Sequence, residues 1–403
     1  MDFALTPEDE DFRAEARAWL GAHLVGEYAR AAGQGRPGSE HEATGVRRRW
    51  ERELGGAGWI GLGWDPPHGT YGNRSATLIQ QVVWAEEYAR AGAPGRVGHI
   101  GENLLAPTLL AYGTEEQRRR FLPAIARGEE LWCQGYSEPG AGSDLAAVRT
   151  SAVRDEGGSG DYRITGQKIW TSLAQDADWC FVLARTEEGA RGHRGLSFLL
   201  VPMDQPGRIE VRPIRQMSGT SEFNEVFFDG AAARAEHRVG AEGDGWRVAT
   251  GLLALERGVS TLVQQIGFAA ELDEVLRSAL RTGAARRDPV LRDQLVRAWA
   301  ELRTMRWNAL TTLGGGEDPG APSVAKLLWG GWHQRLGELA MRVRGAEAAL
   351  GPDDWSPEHP YELDAWQRLF LFTRADTIYG GSDEIQRTIL AQRVLGLPRE
   401  ART

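Results

Sequence analysis

Trp179-Cys180-Phe181-Val182-Leu183 is a short apolar run, and a run of this kind is typical of a buried β-strand. Similar runs lie on both sides of it: Tyr162-Arg163-Ile164, Leu196-Ser197-Phe198-Leu199-Leu200-Val201 and Val226-Phe227-Phe228. Clusters of turn residues separate these runs, and no helical pattern lies between them. The sequence therefore predicts a central antiparallel β domain over residues 131–238.

Helical patterns precede and follow this β segment. Thr6-Pro7-Glu8-Asp9 combines an N-cap threonine, a proline at the first helical position and an acid three residues after the cap. Thr114-Glu115-Glu116-Gln117 repeats this capping pattern, and Asp288-Pro289 begins a helix in the last third of the chain. The prediction is a multidomain α+β protein with an N-terminal helical domain (1–130), the β domain and a C-terminal helical bundle (239–403).

Composition excludes several classes of function. The 403 residues carry a net charge of -9, which gives no basic surface for a nucleic-acid backbone. Two cysteines and eight scattered histidines provide no disulfide framework and no metal site. The chain has no phosphate-binding loop motif, no dinucleotide-binding glycine motif between a strand and a helix, and no G-x-S-x-G nucleophile. Without a signal peptide or a membrane-spanning run, a cytoplasmic protein is expected.

Two segments of the β domain combine glycines with polar or aromatic side chains. In residues 134–144, the glycines allow backbone N–H groups to approach an anion, and Ser137 and Ser143 add donors. Such a loop can hold a pyrophosphate or a flavin edge, although a tight interdomain turn is the more common explanation of a lone glycine-rich stretch. In residues 166–172, Trp170 can lie against a planar ring while Ser172 bonds its heteroatoms. The alternative is an ordinary half-buried strand tryptophan.

Glu256 is the candidate general base. It follows Leu252 by four residues and precedes Val259 by three and Val263 by seven, which places its carboxylate in an apolar stripe if the segment is helical. Desolvation there would raise its pKa above the ordinary value of about 4.3, as a base working near neutrality requires. The alternative is a boundary glutamate paired with a neighbouring arginine.

The segment Ile378-Tyr379-Gly380-Gly381-Ser382 is the candidate carbonyl-binding site. The two glycines end one helix, and Ser382 can cap the next helix. Unpaired N–H groups at a helix start can polarise a carbonyl oxygen. An ordinary interhelical turn is the alternative.

Taken together, these segments resemble the acyl-CoA dehydrogenase family, in particular its actinobacterial degradative branch. The motifs that carry the resemblance are Y-S-E-P-G-A-G-S-D-L, G-Q-K-I-W-T-S, L-E-R-G and I-Y-G-G-S-D-E-I-Q, which begin at Tyr136, Gly166, Leu255 and Ile378. The likeness extends from the Thr6 helix to Leu395-Gly396-Leu397-Pro398. It implies a helical domain, a β domain and a C-terminal four-helix bundle, with FAD as cofactor.

The resemblance also implies a role for each candidate residue. The implied flavin-binding residues are Gln134, Ser137, Gly142, Ser143, Trp170, Ser172, Gly381, Ser382 and Glu384. The implied substrate-binding residues are Ser143, Arg257, Tyr379 and Gly380, and no metal is implied. Many members carry the catalytic glutamate directly after the tyrosine of the last motif, where this chain has Gly380. The isovaleryl and long-chain branches place the base in an L-E-R context instead, which matches Glu256.

The implied reaction is FAD-dependent α,β-dehydrogenation of an acyl-CoA or carrier-protein thioester, with electrons passed to an electron-transfer flavoprotein. A homotetramer or homodimer is expected. The family's R-x-x-F-G element, which contacts the neighbouring subunit's flavin, is only approximated by Leu280-Arg281-Thr282-Gly283-Ala284, and a later glycine-rich strip is replaced near Gly345–Gly351. A heterotetramer, in which a partner chain supplies this contact, is therefore an alternative. Alternative functions are a flavin oxidase or monooxygenase on the same fold, and a non-catalytic subunit of a heterotetrameric dehydrogenase.

Overall fold

A computed structural model describes residues 5–36, 38–64, 71–155, 160–255, 259–314, 320–351 and 362–398. The helices are α1 (Pro7–His23), α2 (Gly26–Arg30), α3 (Thr44–Gly56), α4 (Leu78–Arg90), α5 (Ala106–Tyr112), α6 (Glu115–Ala126), α7 (Gly245–Leu255), α8 (Val259–Arg281), α9 (Ala284–Arg287), α10 (Pro289–Gly314), α11 (Ala321–Arg344), α12 (Ala365–Phe372) and α13 (Asp383–Ile389). The strands are β1 (Trp132–Gly135), β2 (Ser151–Arg154), β3 (Tyr162–Ser172), β4 (Trp179–Arg185), β5 (Leu196–Pro202), β6 (Ile209–Ile214), β7 (Phe223–Ala233) and β8 (Arg238–Val239). No helix in these ranges is both long enough and apolar enough to cross a bilayer.

The N-terminal helices begin at the predicted caps. The Thr6 hydroxyl accepts a hydrogen bond from the Asp9 N–H, and the Asp9 carboxylate accepts one from the Thr6 N–H, so the predicted capping box is formed. Thr114 and Gln117 form the same reciprocal pair at α6. Behind these helices, the indole rings of Trp59 and Trp84 stack with centroids 4.2 Å apart and an angle of 5° between their planes. This aromatic packing holds α1, α3 and α4 as one layer.

The central sheet has the strand order β6-β7-β3-β2-β4-β5-β8, and β1 pairs with β4. Most pairs are antiparallel, as the sequence predicts, but β1 runs parallel to β4 with Cys133 opposite Cys180. A single parallel bridge also joins β2 to β4, from Ser151 to Arg185. The parallel pairing arises because β2 and β3 lie between β1 and β4 in the chain and supply the crossover that brings β4 back alongside β1. The sequence of a single strand carries no signal for the direction of its partner.

The C-terminal helices pack as a bundle around one apolar face. Asp288 caps α10 by accepting hydrogen bonds from the N–H groups of Val290 and Leu291, both at 2.9 Å. Residues at helical spacing form the buried face of α10 and are 2–8% exposed: Leu291, Leu295, Ala298 and Leu302. The Trp332 indole of α11 donates to the Ala298 carbonyl at 2.9 Å and thereby joins two helices of the bundle.

The predicted fold class is confirmed: helices, then a β domain, then a helical bundle. The individual domain boundaries, 1–130, 131–238 and 239–403, stay a prediction. What matters for function is where the chain leaves the sheet after β1 and β3, and where it turns between α12 and α13.

Candidate active site

The glycine-rich segment after β1 forms a tight turn beside the end of β3. The Ile169 N–H donates to the Ser137 carbonyl at 2.9 Å, and Glu138 and Ala141 exchange backbone hydrogen bonds of 3.1 and 3.0 Å. Gly142 and Ser143 follow this turn and are exposed. Among the described residues, apart from Gly142 itself and its two chain neighbours, no atom lies within 4 Å of the position that a Cβ of Gly142 would occupy. The backbone of the turn is therefore open to an approaching ligand.

A buried ion pair fixes this turn against β3. The Lys168 ammonium, with a fully buried side chain, donates to Glu138 Oε1 at 2.9 Å and to the carbonyls of Tyr136 and Leu183 at 3.0 and 2.8 Å. The Glu138 carboxylate also accepts the N–H groups of Arg149 and Thr150 at 2.7 and 2.8 Å. Burial lowers the pKa of Lys168 to about 8, although Glu138 acts in the opposite direction.

Sequence reasoning missed this pair. The only signal was a lysine within the β-strand pattern of residues 166–172 and a glutamate within the glycine-rich turn. Neither position indicates on its own that the two side chains meet, because β2 and the loops beside it separate them in the chain.

Trp170 lies at the end of β3 in an uncommon backbone conformation. Its φ is 60°, a left-handed value that is unfavourable for a bulky side chain, and the register with β7 shifts between Lys168 and Thr171. Its indole is 55% exposed and touches Phe223 edge-on, with ring centroids 6.2 Å apart. The irregular backbone thus presents a large aromatic surface to solvent, and a local conformational cost of this kind is typical of a functional site.

The other residues predicted near Trp170 lie on the same sheet. Ser172, at the end of β3, pairs with Phe223 of β7. Gln134, on β1, pairs with Phe181 of β4. The side chains of Ser172 and Gln134 are partly exposed. The Thr171 hydroxyl is buried, and within the described part of the chain it has no hydrogen-bond partner. A buried hydroxyl without a partner beside an exposed aromatic ring is a fitting position for a ligand's polar atom.

The predicted carbonyl-binding segment forms a turn between α12 and α13. Gly380 and Gly381 have φ values of 63° and 84°, and the Ser382 hydroxyl caps α13 by accepting from the Ile385 N–H at 3.4 Å. The Gln386 side-chain amide donates to the Gly380 and Gly381 carbonyls at 3.3 and 3.2 Å, which directs both oxygens toward α13. Among the described residues, the Gly380 N–H has no acceptor. It is therefore available to a ligand.

Glu384 lies in the first turn of α13 and is exposed. Hydrogen bonds from its own backbone N–H and from the Ser382 hydroxyl lower the pKa of its carboxyl. An anionic side chain at this helix start is favoured by the orientation of the backbone dipoles.

Tyr379 is held by a buried polar network that sequence reasoning did not identify. Its hydroxyl donates to the Asp376 carboxylate, and the other oxygen of that carboxylate lies 2.7 Å from Nδ1 of His333. Nε2 of His333 lies 2.8 Å from a carboxylate oxygen of Glu271. In the sequence, His333 is one of eight scattered histidines, so nothing distinguished it.

Glu256 and Arg257 lie outside the described residues, between the end of α7 at Leu255 and the start of α8 at Val259. Leu252, from the predicted apolar stripe, is fully buried, whereas Val263 is 45% exposed. The stripe therefore is not continuously buried within a single chain.

A loop near the N-terminus links the sheet to the bundle. This bridging loop (residues 38–43) contacts the sheet side through His41, whose Nδ1 lies 3.3 Å from Oε1 of the buried Glu222. The Glu222 carbonyl accepts from the Leu173 N–H, one residue after Ser172. On the bundle side, Glu42 accepts from Arg368 of α12 at 3.0 Å. The bridging loop thus contacts both the Glu222 segment, next to the end of β3, and α12, the helix that leads to Tyr379.

The bridging loop also carries a perturbed carboxyl group. Burial and the charge of Glu222 raise the pKa of Glu40 to about 7, while Arg47 acts in the opposite direction. The pKa of the Tyr379 hydroxyl is raised by burial, by Asp376 and by Glu40. Glu40 is therefore electrostatically coupled to the turn between α12 and α13.

Comparison with known proteins identifies one family. Family models described as the acyl-CoA dehydrogenase N-terminal, middle and C-terminal domains match residues 6–129, 133–231 and 243–395. A Mycobacterium tuberculosis protein named acyl-CoA dehydrogenase IpdE1 is 57% identical over 396 residues, covering 98% of this chain and 99% of that protein.

Solved structures agree with these sequence matches. The crystal structure of the ChsE4-ChsE5 complex from Mycobacterium tuberculosis superposes with a TM-score of 0.78 and 33% identity, covering 99% of this chain and 100% of that chain. A protein described as the Tcur3481-Tcur3483 steroid ACAD gives a TM-score of 0.82 and 29% identity, covering 99% of this chain and 100% of that chain.

Proposed function

The chain belongs to the acyl-CoA dehydrogenase family, a flavin-dependent family, and from that premise we propose that it uses FAD to oxidise the Cα–Cβ bond of an acyl-CoA to a trans-2-enoyl thioester. The observation that carries the proposal is the agreement between family and site. Matches to all three family domains coincide with an open glycine-rich turn, held by Lys168 and Glu138 next to the exposed ring of Trp170.

The residues at the sheet fit a bound flavin. We assign the pyrophosphate to Ser137, Gly142 and Ser143, since their turn offers open backbone and hydroxyl donors. Trp170 would cover the ring system, and Gln134, Ser172, Gly381, Ser382 and Glu384 would contact its polar edges. A flavin supplies the acceptor for the hydride that leaves the β-carbon.

The protein residues supply acid–base chemistry and orientation. We assign removal of the α-proton to Glu256, so that the electrons of the broken α-C–H bond form the new double bond as hydride leaves the β-carbon. The Gly380 N–H would donate to the thioester carbonyl oxygen and so acidify the α-carbon. Ser143, Arg257 and Tyr379 would contact the rest of the thioester.

A bulky, cyclic acyl group is the substrate class that this site favours. Gly380 places no side chain where many family members carry glutamate, and a Cβ there would have Lys326 Cε as its nearest neighbour, at 3.7 Å. The space beside the turn is correspondingly larger. A similar solved protein described as a steroid ACAD supports the same substrate class.

The electron acceptor and the assembly are part of the proposal. An electron-transfer flavoprotein would reoxidise the reduced enzyme. Several large apolar side chains on the bundle are exposed in the single chain, namely Leu280, Val290, Val296 and Trp299. This surface supports an oligomer. The similar ChsE4-ChsE5 complex contains two different proteins, so a heteromer is an alternative to a homodimer or homotetramer.

The decisive experiment is an anaerobic titration of the purified flavoprotein with straight-chain, branched and polycyclic acyl-CoA thioesters. Bleaching of the flavin absorbance by one class, with formation of the matching enoyl-CoA, supports the proposal. A flavin that no thioester bleaches contradicts it. Reduced enzyme that reacts rapidly with oxygen indicates an oxidase instead, and a chain that retains flavin only with a co-expressed partner indicates a heteromeric enzyme.

A further inference from the structure

A chain of buried and partly buried polar side chains connects three parts of the C-terminal bundle. It runs from Glu271 on α8 through His333 on α11 to Asp376 and Tyr379 in the turn after α12. The side chains of His333 and Asp376 are 4% and 0% exposed. We call these four residues the His333 network. Its last member directly precedes Gly380.

We propose that His333 is a positioning residue, which holds Asp376 and, through it, fixes the Tyr379-Gly380-Gly381 turn in the geometry that receives the thioester carbonyl. This inference rests on the proposed function for the identity of the ligand. The position of the turn itself can be tested without any substrate.

The turn needs an external anchor because of its sequence. Two consecutive glycines with φ values of 63° and 84° have more accessible backbone conformations than any other pair of residues. Tyr379, by contrast, is held at several points. Its N–H donates to the Ala375 carbonyl at 3.0 Å, its hydroxyl donates to Asp376, and its ring lies 5.0 Å from the Lys326 ammonium. Fixing Tyr379 therefore fixes the start of the glycine pair.

The imidazole of His333 is suited to this role because both of its nitrogens face carboxylates. Asp376 lies 2.7 Å from Nδ1 and Glu271 lies 2.8 Å from Nε2, so the protonated ring donates to both. Without the imidazolium, two carboxylates with little access to water would lose their shared partner. On the remaining sides, Phe268 packs on the imidazole with centroids 4.1 Å apart, and Lys326 contributes a cation through its bond to the Asp376 carbonyl.

The charge state of the network is set by these groups. Burial lowers the pKa of His333, but Glu271 and Asp376 outweigh it and raise the value to about 9. Glu40 adds a further negative group near Tyr379. The ring is thus protonated at neutral pH, and the anchor should weaken only in clearly alkaline solution.

The test compares the wild-type holoenzyme with His333→Gln, which retains hydrogen-bonding atoms but cannot take up a proton. His237→Gln is the matched control. His237 also lies beside a glutamate, Glu236, at 3.8 Å, but it packs edge-on against Phe121 and Trp179 in a different core. Hydrogen–deuterium exchange is measured at pH 7 for the peptide covering residues 376–386 and for helix α1 as an internal reference.

In His333→Gln, exchange in residues 376–386 should rise about tenfold while α1 is unchanged, because the turn opens locally. The limiting rate of flavin reduction by a reactive acyl-CoA should fall about tenfold, with the dissociation constant of a non-reactive thioester changing less than about threefold. His237→Gln should match the wild type in both. If residues 376–386 of His333→Gln exchange at the same rate as in the wild type, the inference is wrong.

Two further outcomes are distinguishable. If His333→Gln does not fold, wild-type exchange at pH 7 and pH 10, corrected for the intrinsic rate, decides: a selective increase in residues 376–386 supports the inference, and a uniform change overturns it. If no thioester reduces the wild-type flavin, the proposed function fails, while the exchange data still establish whether His333 holds the turn.

Discussion

The ammonium group of Lys168 lies 2.9 Å from the carboxylate of Glu138, and the two side chains are 0% and 8% exposed. Lys168 belongs to the strand that ends at Trp170, and Glu138 belongs to the glycine-rich turn. Together with the hydrogen bond from the Ile169 N–H to the Ser137 carbonyl, this contact therefore fixes the distance between the two elements assigned to the flavin. Its rigidity matters more for function than its net contribution to stability, since buried ion pairs often contribute little in total.

Lys168→Met should be strongly destabilising and should lower flavin content. The substitution leaves the Glu138 carboxylate buried without its cation, which costs about 3–5 kcal/mol. Chemical denaturation and the ratio of flavin to protein absorbance are the measurements. Arg234→Met is the control, because the Arg234–Glu236 pair is 71% and 69% exposed and its loss should have almost no effect. Equal stability of the two variants would contradict the assignment.

Trp170→Ala should weaken flavin binding with little loss of stability. The indole is 55% exposed, so its removal forfeits little burial, and the smaller side chain is no less tolerant of a φ of 60°. Loss of one stacking surface should raise the FAD dissociation constant about tenfold or more. Flavin fluorescence recovery on dilution measures this. Val153→Ala, at an exposed apolar position of the same sheet, should retain wild-type affinity.

The sequence predicted those features of the fold that depend on local physics. The caps at Thr6, Thr114, Asp288 and Ser382 are formed as expected, because capping involves residues two or three positions apart. The parallel pairing of β1 with β4 and the contact between His333 and Asp376 were missed, because each joins segments more than 40 residues apart. Such contacts depend on how the domains pack, and one sequence carries no record of it.

The free energy of unfolding should decrease from near-neutral to alkaline pH because of His333. Its pKa is raised from 6.5 to about 9 in the folded chain, so the folded state binds the proton more tightly than the unfolded state. The stabilisation is complete below pH 6.5 and disappears as the pH rises through about 9. One pKa unit corresponds to about 1.4 kcal/mol, which gives an effect on the order of 3 kcal/mol. Urea unfolding from pH 6 to pH 10 should show this loss in the wild type, and His333→Gln should lack it.

Gly380→Ala should fold but discriminate against large substrates. An alanine at a φ of 63° costs about 1–2 kcal/mol, and its Cβ would meet Lys326 Cε at an ordinary contact distance of 3.7 Å. The added methyl group would occupy space proposed for a bulky acyl chain. The kcat/KM for a polycyclic acyl-CoA should therefore fall further than that for a short straight-chain one. An equal decrease for both would indicate that the pocket does not extend past Gly380.

Glu256→Gln should retain FAD and lose the ability to be reduced by acyl-CoA. The amide has nearly the same shape as the carboxylate, so binding of cofactor and thioester should persist, but it cannot accept the α-proton. General bases contribute about 10²- to 10⁴-fold to such rates, so flavin bleaching should slow by at least about 100-fold in stopped-flow measurements. Glu301→Gln, at a half-exposed position on α10, controls for the charge change. If Glu256→Gln is bleached at the wild-type rate, another carboxylate removes the proton. Glu40 would then be the next residue to replace, because its pKa of about 7 suits a base.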